Sequence, residues 1–170
     1  MNRTTGFQGT TLALNGKGLL LNEQLPKFAL TGNTMTDVTN DVLQNKVAII
    51  ISVPSLDTPV CAIETKKFNE EVAKLNNVIV LAVSRDLPFA QKRWCAAEGV
   101  ANVMTASDYK YRTFGETFGV EIEEWALLSR AVFVAGKDGT IRYVEYVQQI
   151  PEEPNYTEIL KIVRELAAHS

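Results

Sequence analysis

Val47-Ala48-Ile49-Ile50-Ile51-Ser52-Val53 is a continuous apolar run dominated by β-branched residues, the pattern of a strand buried on both faces of a sheet. Pro54 to Val60 then leads into a segment where Cys61, Phe68, Val72 and Leu75 recur at helical spacing, with Glu64, Lys66, Lys67, Glu70 and Glu71 on the other side. A second buried run, Val78 to Val83, precedes another helical segment that ends at Glu98 before Gly99. Asp86 is the expected N-cap of that helix and Pro88 its first-turn residue. The order is strand, helix, strand, helix, so the two strands run parallel with a helix crossing between them.

Outward from this centre the pattern changes. Ala131 to Val134 and Ile141 to Val147 flank the turn Lys137-Asp138-Gly139-Thr140, which predicts an antiparallel pair. Ile159, Ile162, Val163 and Leu166 mark a last helix, with Asn155 and Glu158 as its cap, and Thr113 to Phe118 reads as a short helix. On the N-terminal side, Gly9 to Leu14 and Leu19 to Leu21 flank Asn15-Gly16-Lys17-Gly18, which predicts a β-hairpin. Leu25 to Leu30 reads as a short extended piece, and residues 31–45 read as a turn and connecting segment. The whole chain, 1–170, is expected to form a single α/β domain of three layers, with a mixed central sheet flanked by helices. The thioredoxin-like arrangement is the smallest familiar fold with this order. It places Cys61 just beyond a strand end and at a helix start, where open α/β sheets tend to carry their sites.

Composition narrows the function classes. The chain has 17 Lys and Arg against 20 Asp and Glu, a net charge of −3, and its basic residues are scattered, which argues against nucleic acid or an anionic membrane as partner. Val47 to Val53 is about a third of the length a membrane-spanning helix needs, and the N-terminus has no signal-type pattern. A cytoplasmic location is expected. Two cysteines and one histidine, the penultimate His169, form no zinc-ligand pattern, and a terminal histidine is a poor base for a hydrolytic triad. The sole G-x-G, Gly16-Lys17-Gly18, does not open a helix, so phosphate binding has little support.

Cys61 carries the sharpest signal. A thiol in the first turn of a helix meets free backbone N–H groups and the positive end of the dipole, which favour the thiolate. Residue type alone leaves it open whether Cys61 is that reactive thiol or a small core residue. The other candidates have equally plain readings: Thr58 as an N-cap, Pro54 as a strand terminator, Arg130 as a surface charge and Cys95 as a buried helical residue beside Trp94.

The surrounding residues decide between these readings. Pro54-Ser55-Leu56-Asp57-Thr58-Pro59-Val60-Cys61 contains P-x-x-x-T-x-x-C and resembles the active-site motif of the peroxiredoxins, in particular their atypical two-Cys, thiol peroxidase branch. The likeness continues through Ser84 to Gln91, Trp94-Cys95-Ala96-Ala97-Glu98-Gly99, Ser129 to Val134 and Tyr146 to Tyr156, nearly the whole chain. It implies a thioredoxin-like fold and a thiol-dependent reduction of hydrogen peroxide and alkyl or lipid hydroperoxides. Cys61 would be the peroxidatic nucleophile, and Thr58 a hydroxyl beside both thiolate and peroxide. Pro54 would wall off the thiolate, and Arg130 would stabilise both thiolate and peroxide oxygens. Cys95 would be the resolving cysteine, closing an intramolecular Cys61–Cys95 disulfide. The resemblance further implies thioredoxin as reductant, a homodimer, and no metal, haem or flavin cofactor. Apolar surroundings that include Phe89 and Trp125 point toward alkyl or lipid hydroperoxides.

Three other readings compete. A thioredoxin-type oxidoreductase would need C-x-x-C at the helix start, where the second position is instead Glu64. A redox sensor using the same two thiols and a purely structural α/β module are the others. Because both cysteines fall in separate predicted helices, a disulfide, which needs Cα atoms within about 7 Å, implies local unfolding around residues 58–65 and 92–98.

Overall fold

The computed structural model describes residues 3–169. Its elements in chain order are β1 (Arg3–Phe7), β2 (Thr10–Asn15), β3 (Ala29–Gly32), β4 (Asp37–Thr39), a 3-10 turn (Asn40–Leu43), β5 (Val47–Ser52), α1 (Pro59–Val72), β6 (Val78–Ser84) and α2 (Pro88–Glu98). They continue with β7 (Val103–Ser107), α3 (Thr113–Thr117), β8 (Glu121–Ile122), β9 (Leu127–Leu128), β10 (Ala131–Ala135), β11 (Ile141–Tyr146) and α4 (Tyr156–Ala168).

The apolar run from Val47 is the central strand. β5 lies in a sheet of order β11-β10-β5-β6-β7-β3-β4, parallel to β6 and antiparallel to β10. All six of its residues are buried, and they alternate between two cores. Val47, Ile49 and Ile51 join Phe68 and Val72 of α1, Trp94 of α2 and Ile159 and Val163 of α4. Ala48 and Ile50 join Phe114 and Phe118, from α3 and the residue after it, and Phe28 on the opposite face. Each fully buried Ile or Phe here contributes about 1.5–3 kcal/mol relative to leaving it in water. Two right-handed crossovers in the same direction put α1 and α2 on one face, giving the expected three layers in a thioredoxin-like order.

The N-terminal hairpin is present but displaced from its expected place. β1 and β2 pair around Gln8-Gly9, both at positive φ, as a two-residue hairpin turn demands. Asn15 to Gly18 is not the hairpin turn, and Leu19 to Leu21 form no strand. Gly16, at φ +83°, lies so close to the Glu116 carbonyl that a Cβ would collide with it, and the chain then crosses to the β10–β11 turn. There Asn22 donates to the Ile141 carbonyl and Leu25 to that of Gly139.

Two further corrections concern polar strands. The 31–45 segment contains the end of β3, all of β4 and the 3-10 turn, and β7 was not anticipated. These strands are short and rich in Thr, Ser and Ala, and tertiary pairing rather than hydrophobic pattern selects them. Asp86 is not the cap of α2: Leu87 is, because the residue before Pro88 is held extended, and the Asp86 carboxylate turns the other way. The Asn155 cap of α4 is as expected, its side chain accepting from the Glu158 N–H at 3.2 Å.

Candidate active site

The site forms where β5 and β6 end and β10 begins. Since β10 runs antiparallel to β5, with Ala131 opposite Ser52, its first residues arrive beside the last residues of β5. The Ser52 hydroxyl donates to the Ser129 carbonyl at 2.8 Å and pins this register. Side chains alternate along a strand, so Arg130 shares the face of Val132 and Val134, the face covered by α1 and α4.

Cys61 has no exposed surface and sits in the first turn of α1, with Pro59 at the helix start. One helical turn on, at i+3, Glu64 is also fully buried, and its Oε2 accepts from Arg130 Nη1 at 2.8 Å. Arg130 is only 1% exposed, and its Nε donates to the Ile150 carbonyl at 2.8 Å. The planar fork is thus fixed on both sides. Burial alone would push the Arg130 guanidinium down, but the charges of Cys61 and Glu64 beside it, and the hydrogen bond to Glu64, carry it above its ordinary value. Burial pushes the Glu64 carboxyl up to about 7, against the pull of the Arg130 charge and hydrogen bond. Its Oε1 is buried without a hydrogen-bond partner.

Thr58 occupies the N-cap position of α1, yet its side chain makes no capping bond. Its hydroxyl donates instead to the Ser55 carbonyl at 3.0 Å, which leaves the oxygen lone pairs as acceptors. Pro54 is buried, two residues past the end of β5. The expected residues Pro54, Thr58, Cys61 and Arg130 therefore lie at the same end of the sheet, Cys61 and Arg130 close enough to interact electrostatically.

Cys95 is half-buried in α2, and both thiols are free. Its sulfur lies 3.7 Å from the Thr105 hydroxyl, which donates to Asn33 Oδ1 at 3.0 Å. Burial pushes the Cys95 thiol up, and the Thr105 hydrogen bond opposes it. Cys95 borders a cleft of about 420 Å³ between α2, β7 and the β3–β4 hairpin. Trp94 packs into the core with residues of α1 and α4. Phe89 is 66% exposed, and Trp125 stacks edge-on against Phe7 at 5.1 Å in a small core shared with Leu12 and Leu14 of β2 and Ile122 of β8.

Sequence reasoning missed Glu64, assigning it to the charged outer side of α1. The signal was its i+3 spacing from Cys61, which puts both on one face together with Thr65 and Phe68. It also missed Thr105, which nothing in a polar strand singles out.

Comparison with known proteins places the chain in a family. The Redoxin family model matches residues 20–160. The thiol peroxidase of Streptococcus pneumoniae is 46% identical over 150 residues, 88% of this chain and 92% of that protein. That of Bacillus subtilis is 42% identical over 160 residues, 94% of this chain and 96% of that one. Among solved structures, a peroxiredoxin-like protein from Aquifex aeolicus superposes with a TM-score of 0.90 at 42% identity, covering 96% of this chain and 97% of that one. A thiol peroxidase from Chromobacterium violaceum shares the fold, with a TM-score of 0.90 at 17% identity over 98% of each chain. The chain belongs to the Redoxin family, among its thiol peroxidases.

Proposed function

We propose that this chain is a thiol-dependent peroxidase in which Cys61 is the peroxidatic nucleophile and Cys95 resolves its sulfenic acid. The observation that supports this reading most directly is the buried Cys61 thiol in the first turn of α1, in electrostatic contact with a buried, doubly tethered Arg130.

The Cys61 thiolate attacks the nearer peroxide oxygen, the O–O bond breaks, and the departing oxygen takes up a proton to leave as water or an alcohol. Arg130 stabilises the charge developing along that axis without having to reorganise, because Glu64 and Ile150 already hold it. The Thr58 hydroxyl, committed as a donor to Ser55, accepts a hydrogen bond from the peroxide O–H. Pro54 offers no N–H and shields the thiolate from a second oxidation. Cys95 then condenses with the Cys61 sulfenic acid, releasing water and forming the Cys61–Cys95 disulfide. An external dithiol, which the family resemblance gives as thioredoxin, takes over the disulfide and returns both thiols. We further infer that residues 1–170 act as one domain in the cytoplasm and pair as a homodimer, and that peroxides with alkyl or lipid tails are substrates besides hydrogen peroxide. Among the described residues no helix is long and apolar enough to cross a membrane.

The test is NADPH consumption with thioredoxin, thioredoxin reductase and cumene hydroperoxide, for wild type, Cys61→Ser and Cys95→Ser. The expected result is turnover that Cys61→Ser abolishes and that Cys95→Ser limits to about one cycle. Full activity in Cys61→Ser, or none in the wild type, would overturn the assignment.

A further inference from the structure

We propose that Asp86 is a positioning residue for the peroxide step, acting through Ser55 and Leu56 on the hydroxyl of Thr58; this rests on the peroxidase reading above. Asp86 lies two residues past the end of β6, on a different segment from every group in the reaction. Its carboxylate reaches across to the turn that precedes α1. Oδ1 accepts from the Ser55 hydroxyl at 2.7 Å, and Oδ2 accepts from the Leu56 N–H at 2.9 Å and the Ser84 hydroxyl at 2.7 Å. Hydrogen bonds to an ionised acceptor are roughly twice as strong as neutral ones, so this is the firmest anchor described for the turn.

The anchor itself is held. The Asp86 carbonyl accepts from the buried Ser107 hydroxyl, and its N–H points to Ser84 Oγ at 3.3 Å. Ser84 Oγ in turn accepts from Nε2 of Gln91, a fully buried residue of α2. The carboxylate is thereby fixed to the ends of β6 and β7, both buried strands of the central sheet.

Ser55 is the pivot through which this rigidity reaches the chemistry. Its hydroxyl is tied to Asp86, while its carbonyl accepts both the Thr58 N–H at 3.3 Å and the Thr58 hydroxyl at 3.0 Å. The direction of that carbonyl sets where the Thr58 proton points, and so which way its lone pairs face. Without the Asp86 carboxylate, the Ser55 hydroxyl and the Leu56 N–H both lose their acceptor, and the 55–56 peptide is held only by the bonds its carbonyl accepts from Thr58 itself, so the two can shift together. The bonds that hold Arg130, to Glu64 and Ile150, do not pass through Asp86. Asp86 therefore acts on the peroxide's position and leaves the thiol's electrostatic partner in place.

This separation defines the experiment. In a Cys95→Ser background, which isolates the first step, two rates are compared for the parent, Asp86→Asn and Ser55→Ala. One is oxidation of Cys61 by hydrogen peroxide, followed by dimedone trapping and mass spectrometry. The other is alkylation of Cys61 by iodoacetamide, which needs the thiolate but not Thr58. A displacement of about 1 Å at a reacting group can cost about a hundredfold, so oxidation in Asp86→Asn is expected to fall about tenfold to a hundredfold. Ser55→Ala, which removes one of the two loop contacts, is expected to fall less, while alkylation in both variants stays within about twofold. Unchanged oxidation, or oxidation and alkylation falling together, would overturn the proposal. Should Asp86→Asn fail to fold, Ser55→Ala decides alone: an unaltered ratio of the two rates refutes the positioning role. A parent protein that forms no sulfenic acid at Cys61 overturns the peroxidase reading itself, and this proposal with it.

Discussion

Replacing Glu64 by glutamine turns a buried carboxyl into an amide of the same shape beside Arg130. Glu64 has no exposed surface, and burial lifts its carboxyl from 4.5 to about 7 despite the arginine. Between these values the folded chain keeps a proton that the unfolded chain has released, so stability falls as pH rises. The contribution is fully present below 4.5 and lost once the pH has passed the folded value. At 1.36 kcal/mol per pH unit the interval amounts to about 3 kcal/mol. Glutamine does not titrate, so the Glu64→Gln protein lacks this decline. Its unfolding free energy, relative to wild type, is expected to shift in its favour by about 3 kcal/mol between about pH 4.5 and pH 8. Urea unfolding of both proteins under reducing conditions, at several pH values across that range, measures the shift, provided the denaturant slopes agree. The opposing expectation comes from the ion pair, since truncating one partner of a buried pair commonly costs about 3–5 kcal/mol. A difference that does not vary with pH, or that moves against the variant at high pH, would refute the claim that burial outweighs the attraction of Arg130.

Two further outcomes are expected. Because Cys61 and Cys95 lie within separate helices and Cys61 is fully buried, closing their disulfide requires α1 and α2 to open locally; amide exchange at residues 58–65 and 92–98 should quicken at least about tenfold in the oxidised protein, and equal protection in both redox states would exclude this. Thr105→Val removes the hydroxyl that opposes the upward push of burial on the Cys95 thiol, so the Cys61 sulfenic acid should persist about threefold to tenfold longer, as read by stopped-flow trapping; an unchanged lifetime would dissociate Thr105 from the resolving step.

How much of this was legible in the sequence depended on which interaction shaped each segment. β5, β6, α1 and α2 could be read directly because burial on two faces, or on one helical stripe, leaves a repeating trace in the residue order. β4 and β7 left none, and of β3 only Ala29 and Leu30 fall within the extended piece read at Leu25 to Leu30. Thr31, Thr105 and Ser107 are buried polar residues whose place is set by partners far along the chain. The hairpin was displaced because Asn15 to Gly18 has the composition of a tight turn, whereas Gly16 is there to let the backbone approach Glu116. In the site, Cys61, Thr58 and Pro54 were carried by a local motif. Glu64 was hidden by its charge, since a glutamate amid Lys66, Lys67, Glu70 and Glu71 reads as solvent-facing until Arg130 is known to stand opposite it. Asp86 was seen and given the wrong partner, because capping preference says nothing of the way a carboxylate turns when proline follows two residues on.

The pairing of β5 bears on how the protein is made. Ile50 pairs with Leu81 on one edge and with Phe133 on the other, so half of the frame around Cys61 comes from sequence synthesised well after it. A nascent chain that has emerged only through Gly99 already carries both thiols and α2, yet lacks Arg130, β10 and the Ile150 carbonyl. Until those residues leave the ribosome, Cys61 has neither its guanidinium nor the strand that completes its enclosure. These contacts all have high sequence separation from Cys61, so they cannot form before the later half of the chain is available. A product that ends before Arg130 would therefore carry Cys61 without the guanidinium and the strand that stand beside it in the full chain.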